Sequence, residues 1–411
     1  MSLKELPIGL QTFEDLQKPN VLYVDKTRYI HDLVRRGKGR YFLSRPRRFG
    51  KSLTCSTLAA IFEGRKELFK DLWISQSDYA WKKHPVIYLD FSGIDRKTPE
   101  ALEKSLKKRL YDFSQKEDVQ LDQDFSPQEM LRTIVIALGK KKGPVCIIID
   151  EYDKPIVDHI ENPEIAEKMR SALKAFYEMF KDAQVDANVH FLFVTGVSKF
   201  SKVSLFSGVN NLDDLTNDDR TDALVGYTDQ EVDTYLHGHI QALADKRTED
   251  YATTRMLLKT WYNGYRFSKS PTTVYNPFSL HNCLSKENLD SYWFASGTPD
   301  FLIKWIKNNP DVANQIDIVE NEKVSSTELD AFNVDTYYKK FKILLLQTGY
   351  LTLGDYDEPS ANYTVMYPNW EVRRAMTGQV MEFIGHVAQT KFGSFIPKFR
   401  NAIETDDIGL F

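Results

Sequence analysis

Cysteine is scarce in this chain, and its three residues, Cys55, Cys146 and Cys283, follow no metal-ligand spacing. They give no sign of a cysteine metal centre and fit a reducing compartment. Apolar runs long enough to span a bilayer are missing, and residues 1–10 lack the pattern of a signal peptide. An excess of basic residues is missing too, because the net charge is −4, so composition does not indicate nucleic-acid binding. We therefore expect a cytoplasmic protein that makes no contact with membranes.

Apolar residues, by contrast, are plentiful. They make up 42% of 411 residues, which is enough to bury a large core and to form two or three domains. In the first half, short apolar runs alternate with helical patterns, which is typical of an α/β protein whose parallel strands are joined by helices. The strands are expected at Tyr41–Ser44, Val86–Phe91, Val145–Asp150 and Phe191–Thr195. Capping residues predict helices that begin after Thr98, Ser126, Asn162 and Thr228.

Two segments, far apart in the chain, carry the chemistry. The first, which we call the phosphate loop, runs from Arg45 to Ser52 and ends in Gly-Lys-Ser, between a predicted strand and a helix-competent segment. The second is the apolar strand that ends in Asp150 and Glu151. Burying carboxylates costs several kcal/mol unless a partner compensates. Backbone N–H groups at a helix start, a lysine and a hydroxyl can bind phosphate and magnesium, and so supply that partner. Together the segments predict a nucleoside triphosphate site.

Each residue type has a role at such a site. Gly50 would let the backbone approach the phosphates, Lys51 would bridge the β- and γ-phosphates, and Ser52 would ligate magnesium. Asp150 would hold the same ion through water. Glu151 would orient and deprotonate the attacking water. We therefore expect ATP and Mg²⁺ to bind here.

The rest of the phosphate loop leaves alternatives open. Arg45, Arg47 and Arg48 form either a solvated basic loop or a phosphate contact. Beside Gly-Lys-Ser we expect at least one of them to contact phosphate. We therefore assign Arg47, Arg48, Phe49 and Leu53 to nucleotide binding, together with the Gly-Lys-Ser residues.

The strand ends also allow structural alternatives. Glu151 is either the base or a helix-capping carboxylate. The Thr195 hydroxyl either reaches the γ-phosphate or its water, or only begins the following turn, and the two alternatives are equally favoured. Since Ser52 and Asp150 must converge on one ion, we expect the strands that carry Ser44 and Asp150 to be adjacent and parallel.

With these residues in place, the chain resembles the bacterial AAA-ATPase-like family, a P-loop group related to AAA+ and STAND ATPases. The resemblance covers nearly the whole length and rests on residues 23–27, the phosphate loop, and residues 150–153, 195–197, 210–212, 261–265 and 275–278. It implies that the arginine at position 45, where P-loops usually have their first glycine, is a family trait. It also implies ATPase activity and a sensor role for Thr195.

Sequence pattern and resemblance together divide the chain. They predict a P-loop ATPase core with helices on both faces of its sheet at 1–226, a helical lid at 227–270, a winged-helix-like domain at 271–369 and C-terminal helices at 370–411. Family members commonly carry a C-terminal PD-(D/E)XK nuclease domain. We do not expect that activity here, because the segment from Glu320 to Lys323 has the wrong spacing. Arg266, in the lid segment, either senses the γ-phosphate or forms a cation–π pair with Tyr262 or Tyr265.

We expect the protein to work as a nucleotide-driven switch that hydrolyses ATP to ADP. ATP is favoured over GTP because the resemblance is to ATPases and no Asn-Lys-x-Asp segment is present. One alternative is a module that binds nucleotide without turnover. Another is a scaffold that binds DNA or a protein through the winged-helix-like domain, although Lys339, Lys340 and Lys342 fit a solvated helix end better than a DNA contact. Oligomer formation is compatible with every alternative.

Overall fold

A parallel sheet organises the first half of the chain in the computed structural model, which describes residues 3–199, 205–206, 209, 212–295, 322–330 and 341–385. Its strands are β1 (Gly39–Ser44), β2 (Val86–Asp90), β3 (Val145–Asp150), β4 (Val189–Gly196) and β5 (Asp213–Asp214), in the spatial order β2-β3-β4-β1-β5. Each strand runs parallel to its neighbours. All residues of β3 are buried, as expected for a strand covered on both faces. The four strands expected from the sequence are thus confirmed.

Helices flank this sheet, and a further group, which we call the lid helices after the predicted lid, follows it in the chain. In the sheet region they are Phe13–Leu16, Thr27–Val34, Lys51–Phe62, Pro99–Lys116, Pro127–Lys142, Lys154–Val157, Pro163–Tyr177 and Ala183–Asn188. The lid helices are Asp229–Tyr235, His237–Arg247 and Tyr251–Tyr262, and Pro277–Lys286 and Tyr292–Ala295 follow them. The side chains of Thr98, Ser126, Asn162 and Thr228 each accept a hydrogen bond from a first-turn backbone N–H. The four capping predictions are therefore confirmed.

The strand order corrects one expectation. The strands that carry Ser44 and Asp150, β1 and β3, are parallel but not adjacent, because β4 lies between them and pairs with both. The helix Lys51–Phe62, which we call the phosphate-loop helix, leaves β1 and packs against β3. Packing of this helix across the sheet, and not direct strand pairing, therefore brings its first turn to the end of β3.

The lid helices have a hydrophobic core of their own. Leu22 and Val24, from the N-terminal segment, are buried there among lid residues such as Ile240. Beside them, the buried Lys26 ammonium pairs with the Glu231 carboxylate at 2.6 Å. A buried charge is tolerated only with a partner, so this ion pair ties the N-terminal segment to the lid.

A small antiparallel sheet lies in the C-terminal part. It consists of β6 (Lys323–Ser325), β7 (Thr352–Asp357) and β8 (Asn362–Met366) in the order β6-β8-β7, and the helices around it are Ser326–Asp330, Phe341–Thr348 and Trp370–Gly385. The expected helix followed by a hairpin is present at 341–366. The winged-helix-like domain as a whole stays a prediction, since residues 296–321 and 331–340 lie outside the described residues, as do 210–211 and 386–411. No helix in the described part of the chain is long and apolar enough to cross a membrane.

Candidate nucleotide-binding site

The phosphate loop enters its helix at the carboxyl edge of the parallel sheet. Gly50 is the N-terminal cap of that helix and has a φ of 103°, a left-handed conformation that favours glycine. Arg48, two residues earlier, also has a positive φ, of 68°. The first-turn N–H groups of a helix have no partner within the helix, and the helix dipole favours negative charge at this end. The loop therefore offers backbone donors to an anion such as phosphate.

Lys51 begins this helix and is buried, with 6% of its surface exposed. Its Nζ donates a hydrogen bond to the carbonyl oxygen of Pro46, in the same loop, at 3.0 Å. Burial lowers the pKa of Lys51, and the nearby carboxylates of Asp150 and Glu151 oppose that shift. An ammonium group has three N–H donors, so phosphate can share this group with the Pro46 carbonyl or take it over.

Ser52 and Asp150 meet at the carboxyl end of β3. Burial raises the pKa of Asp150, and the nearby Ser52 side chain and the charge of Lys51 oppose that shift. Asp150 Oδ1 accepts a hydrogen bond from the backbone N–H of Glu151 at 3.0 Å. Asp150 Oδ2 accepts one from the Tyr88 hydroxyl at 3.4 Å. The structure thus brings the two predicted metal ligands together.

Tyr88 is a site residue that sequence reasoning missed. It lies in the edge strand β2, paired with Ile148 of β3. Tyr88 keeps 39% of its surface exposed, and its hydroxyl, which is protonated at neutral pH as in any tyrosine, can donate to Asp150. The only signal in the sequence is a tyrosine within a predicted strand. Its contact with Asp150 can be inferred only when β2 is known to lie beside β3.

Glu151 follows β3 with a φ of 51°, which is uncommon for a residue that is not glycine. Backbone strain of this kind clusters at functional sites. Burial raises the pKa of Glu151, while Lys154 and Lys51 lower it. The Lys154 Nζ lies 3.8 Å from Glu151 Oε2. The residue at the N-cap of the next helix is Asp153, so the capping alternative for Glu151 is wrong.

Thr195 and Asp153 tie strands and loops together around the site. The buried Thr195 hydroxyl donates a hydrogen bond to the backbone carbonyl of Leu43, in β1, at 2.7 Å. This contact favours the structural alternative for Thr195. The Asp153 carboxylate accepts hydrogen bonds from the backbone N–H and the hydroxyl of Ser198, each at 2.8 Å. The loop after β3 is thereby held to the loop after β4.

The Arg266 guanidinium contacts residues outside the phosphate site. Its Nε donates to the carbonyl of Ser270 at 2.7 Å, and its Nη2 donates to the carbonyl of Lys269 at 2.6 Å. Its Nη1 lies 3.4 Å from the Asp355 carboxylate in β7. The guanidinium therefore holds the loop after the lid against the small sheet. These contacts speak against the expected γ-phosphate sensor and against a cation–π pair with a lid tyrosine.

Arg45, at the usual first-glycine position, is a core residue. Only 1% of its surface is exposed. Its guanidinium donates to the carbonyls of Thr216 and Thr221, the latter at 3.4 Å, and lies 4.2 Å from the centre of the Phe267 ring. The solvated alternative is therefore wrong for Arg45. Its side chain packs the loop against the protein.

Arg47 and Arg48 lie nearer to solvent. Arg47 is half-buried, and its charge helps to lower the pKa of Lys51. Arg48 is exposed, and its guanidinium lies 4.8 Å from the centre of the Phe278 ring. Arg47 is therefore the better candidate of the two for a phosphate contact.

The two apolar residues assigned to nucleotide binding face the protein interior. Phe49 is 1% exposed, and its ring centre lies 4.7 Å from that of Tyr265 in an edge-to-face contact. Leu53 is half-buried and packs against the main core. Phe49 and Leu53 can therefore contact a nucleotide only through their backbone groups.

A phosphate loop between β1 and a helix, an acidic end on β3 and the parallel strand order define a P-loop nucleoside triphosphatase fold. A family model described as "Predicted AAA-ATPase" matches residues 7–206. A protein of Azotobacter chroococcum mcd 1, described as "Uncharacterized protein in vnfD 5'region", is 38% identical over 385 residues, which are 92% of this chain and 70% of that protein. The chain belongs to the predicted AAA-ATPase family.

Solved structures show only a distant likeness. The ORC2 protein of Aeropyrum pernix, in ADPNP-ADP complexes, is 13% identical, with 88% of this chain and 92% of that chain covered and a TM-score of 0.36. Cdc6p from Pyrobaculum aerophilum is 11% identical, with 90% and 98% covered and a TM-score of 0.27.

Proposed function

We propose that this chain binds ATP together with magnesium at the phosphate loop and hydrolyses it, so that the bound nucleotide acts as a switch. The observation that carries the proposal is the meeting of Lys51, Ser52, Asp150 and Glu151 at the carboxyl edge of the sheet. They supply a cation for phosphate, two oxygen ligands for a metal ion and a base for water. Membership of a family described as ATPases supports the same conclusion.

Magnesium fits the donor set. The Ser52 hydroxyl and the Asp150 carboxylate are oxygen ligands, which Mg²⁺ prefers, and the ion usually keeps several of its waters. When bound, the ion would neutralise charge on the β- and γ-phosphates. Because burial raises the pKa of Asp150, a nearby positive charge would favour its ionised form. Tyr88 would keep the carboxylate oriented through its hydrogen bond.

Glu151 is the proposed base. A water molecule would attack the γ-phosphorus, the bond to the oxygen that bridges the β- and γ-phosphates would break, and Glu151 would accept the proton of the water. The products are ADP and inorganic phosphate. Since burial raises the pKa of Glu151, the carboxylate is a stronger base than an exposed one. Lys51, with Arg47 beside it, would offset the negative charge of the phosphates.

Replacing Lys51 tests the site directly. Loss of a charged hydrogen-bonding group costs about 1.5–3 kcal/mol, or about tenfold to a hundredfold in affinity. Isothermal titration with magnesium and a non-hydrolysable ATP analogue measures this loss in Lys51→Ala. Lys38→Ala is the matched control, because Lys38 is exposed and precedes β1 at the opposite edge of the sheet. Unchanged binding in a folded Lys51→Ala variant rules out the phosphate-loop assignment.

Phosphate release separates a hydrolase from a passive nucleotide-binding module. The parent protein is assayed with magnesium, with and without DNA, and at high protein concentration. Measurable turnover supports the hydrolase. Binding without turnover would favour the alternative in which nucleotide exchange alone works the switch.

A protein is the partner that we propose for the small C-terminal sheet. The exposed end of its β7–β8 hairpin carries Asp357 and Glu358. Negative charge at this end repels a phosphate backbone, so the hairpin does not favour DNA. We also propose a cytoplasmic setting, which is supported by three cysteines that are all free and buried.

A further inference from the structure

Residues far along the chain contact the phosphate loop. The carbonyl oxygen of Arg47 accepts a hydrogen bond from the Trp293 indole Nε1–H at 3.1 Å. On one side of it, a Cβ added to Gly349 would lie only 2.7 Å from the Cβ of Pro46, so the backbone there presses against the proline. On the other side, Arg48 lies over the ring of Phe278. Three successive loop residues thus contact the C-terminal part of the protein.

Trp293 is itself firmly placed. It is 6% exposed, and its backbone N–H donates to Glu371 Oε1 at 2.7 Å. Its ring centre lies 5.1 Å from that of Tyr350 in an edge-to-face contact. Glu371 is in the first turn of the helix Trp370–Gly385, and Tyr350 lies between the helix 341–348 and β7. The indole N–H that contacts the loop therefore belongs to a residue that is fixed by its own packing and hydrogen bond.

Two neighbouring carbonyl groups of the loop accept hydrogen bonds from different donors. The Pro46 carbonyl accepts from Lys51 Nζ at 3.0 Å, and phosphate competes for that ammonium. The Arg47 carbonyl accepts from Trp293, which phosphate does not contact if it binds at the helix start. The second bond can therefore keep the loop in place while the first is exchanged for a ligand.

We propose that Trp293 is a positioning residue for the nucleotide site, which holds the Pro46–Arg47 segment through its indole N–H and couples nucleotide binding to the C-terminal part of the chain. The inference rests on the proposed nucleotide binding. The C-terminal part contacts the loop at Pro46, at the Arg47 carbonyl and at the Arg48 side chain.

The test compares two tryptophans of the full chain. Trp293→Phe keeps an aromatic ring and removes the N–H, and ADP affinity measured by isothermal titration should fall about two- to tenfold, the share of one hydrogen bond. Trp261→Phe is the matched control, since Trp261 is half-buried in a lid helix and lies beside Arg374. Its ADP affinity should equal that of the parent. Equal affinities in both folded variants would overturn the inference.

Hydrogen exchange of the parent gives a second measurement that needs no variant. ADP should slow amide exchange at residues 292–295 as well as in the phosphate loop. Slowing in the loop alone would overturn the coupling, even if Trp293→Phe does not fold. A parent that binds no ADP would instead refute the proposed function, and this inference with it. Loss of binding in Lys51→Ala with parent-like binding in Trp293→Phe would refute this inference alone.

Discussion

Replacing Glu371 by glutamine should change the stability of this protein in a pH-dependent way. Glu371 is fully buried. Its Oε1 accepts hydrogen bonds from the Ser279 hydroxyl at 2.9 Å and from the Trp293 backbone N–H at 2.7 Å. Its Oε2 has no hydrogen-bond partner among the described residues. Burial, only partly offset by these bonds, raises the pKa of Glu371 from 4.5 to about 7.

The sign and size of the effect follow from that shift. Between pH 4.5 and about 7 the folded state binds more protons at Glu371 than the unfolded state does. The stabilisation is therefore complete below pH 4.5 and is lost as pH rises through about 7. At 1.36 kcal/mol for each pKa unit, the loss amounts to about 3 kcal/mol. Glutamine does not ionise, so Glu371→Gln should escape this loss.

Unfolding of the parent and of Glu371→Gln is compared at pH 5 and pH 8. The stability of the variant relative to the parent should rise by about 3 kcal/mol between the two pH values. Glu358→Gln, the same change at an exposed hairpin position, serves as the control and should show no such rise. A difference between parent and Glu371→Gln that does not depend on pH would refute the reasoning.

Other predictions address the site and the core. Glu151→Gln should keep nucleotide affinity and lower phosphate release by about 10²–10⁴-fold, and release at the parent rate would remove Glu151 from the mechanism. His190 stacks on His84 with ring centres 4.2 Å apart, and burial and this neighbour lower the pKa of His190 to about 4. The stability linked to this pKa is present above pH 6.5 and is lost as pH falls towards about 4, so His190→Phe should unfold less readily in acid than the parent, and equal acid sensitivity in thermal scans would contradict this. Arg45→Met leaves buried carbonyls without donors and should cost about 1–3 kcal/mol in denaturant unfolding, whereas an unchanged midpoint would show that those hydrogen bonds do not stabilise the fold.

Local pattern was enough to predict the strands, the helix caps and the residues that meet at the site. The short apolar run before Asp150, rich in β-branched residues, indicates a buried strand, and its carboxylate needs a partner. The Gly-Lys-Ser segment can be recognised as that partner because its three residues are adjacent in the chain. A capping hydroxyl accepts a hydrogen bond from an N–H only a few residues away, so helix starts can be predicted from the sequence.

The neighbour relations of the sheet were not predictable in this way. Inserting β4 between β1 and β3 leaves every local pattern unchanged, so the expected adjacency of β1 and β3 failed. The contacts of Arg266 were not predictable for a related reason, since one of its partners, Asp355 of β7, lies far along the chain. An arginine near an expected site can satisfy its charge on any carbonyl or carboxylate that folding brings within reach.

The sequence by itself therefore determined the two segments on which the proposed chemistry depends: Gly50-Lys51-Ser52 before a helix-competent segment, and Asp150 with Glu151 at the end of an apolar strand. Tertiary structure alone decided that Tyr88 bonds to Asp150, that Arg45 is buried and that Trp293 holds the loop from far along the chain. The physical reason is the range of the interactions. Caps, turns and strand alternation depend on neighbours in the chain, whereas burial and cross-chain hydrogen bonds depend on which surfaces the hydrophobic core brings together.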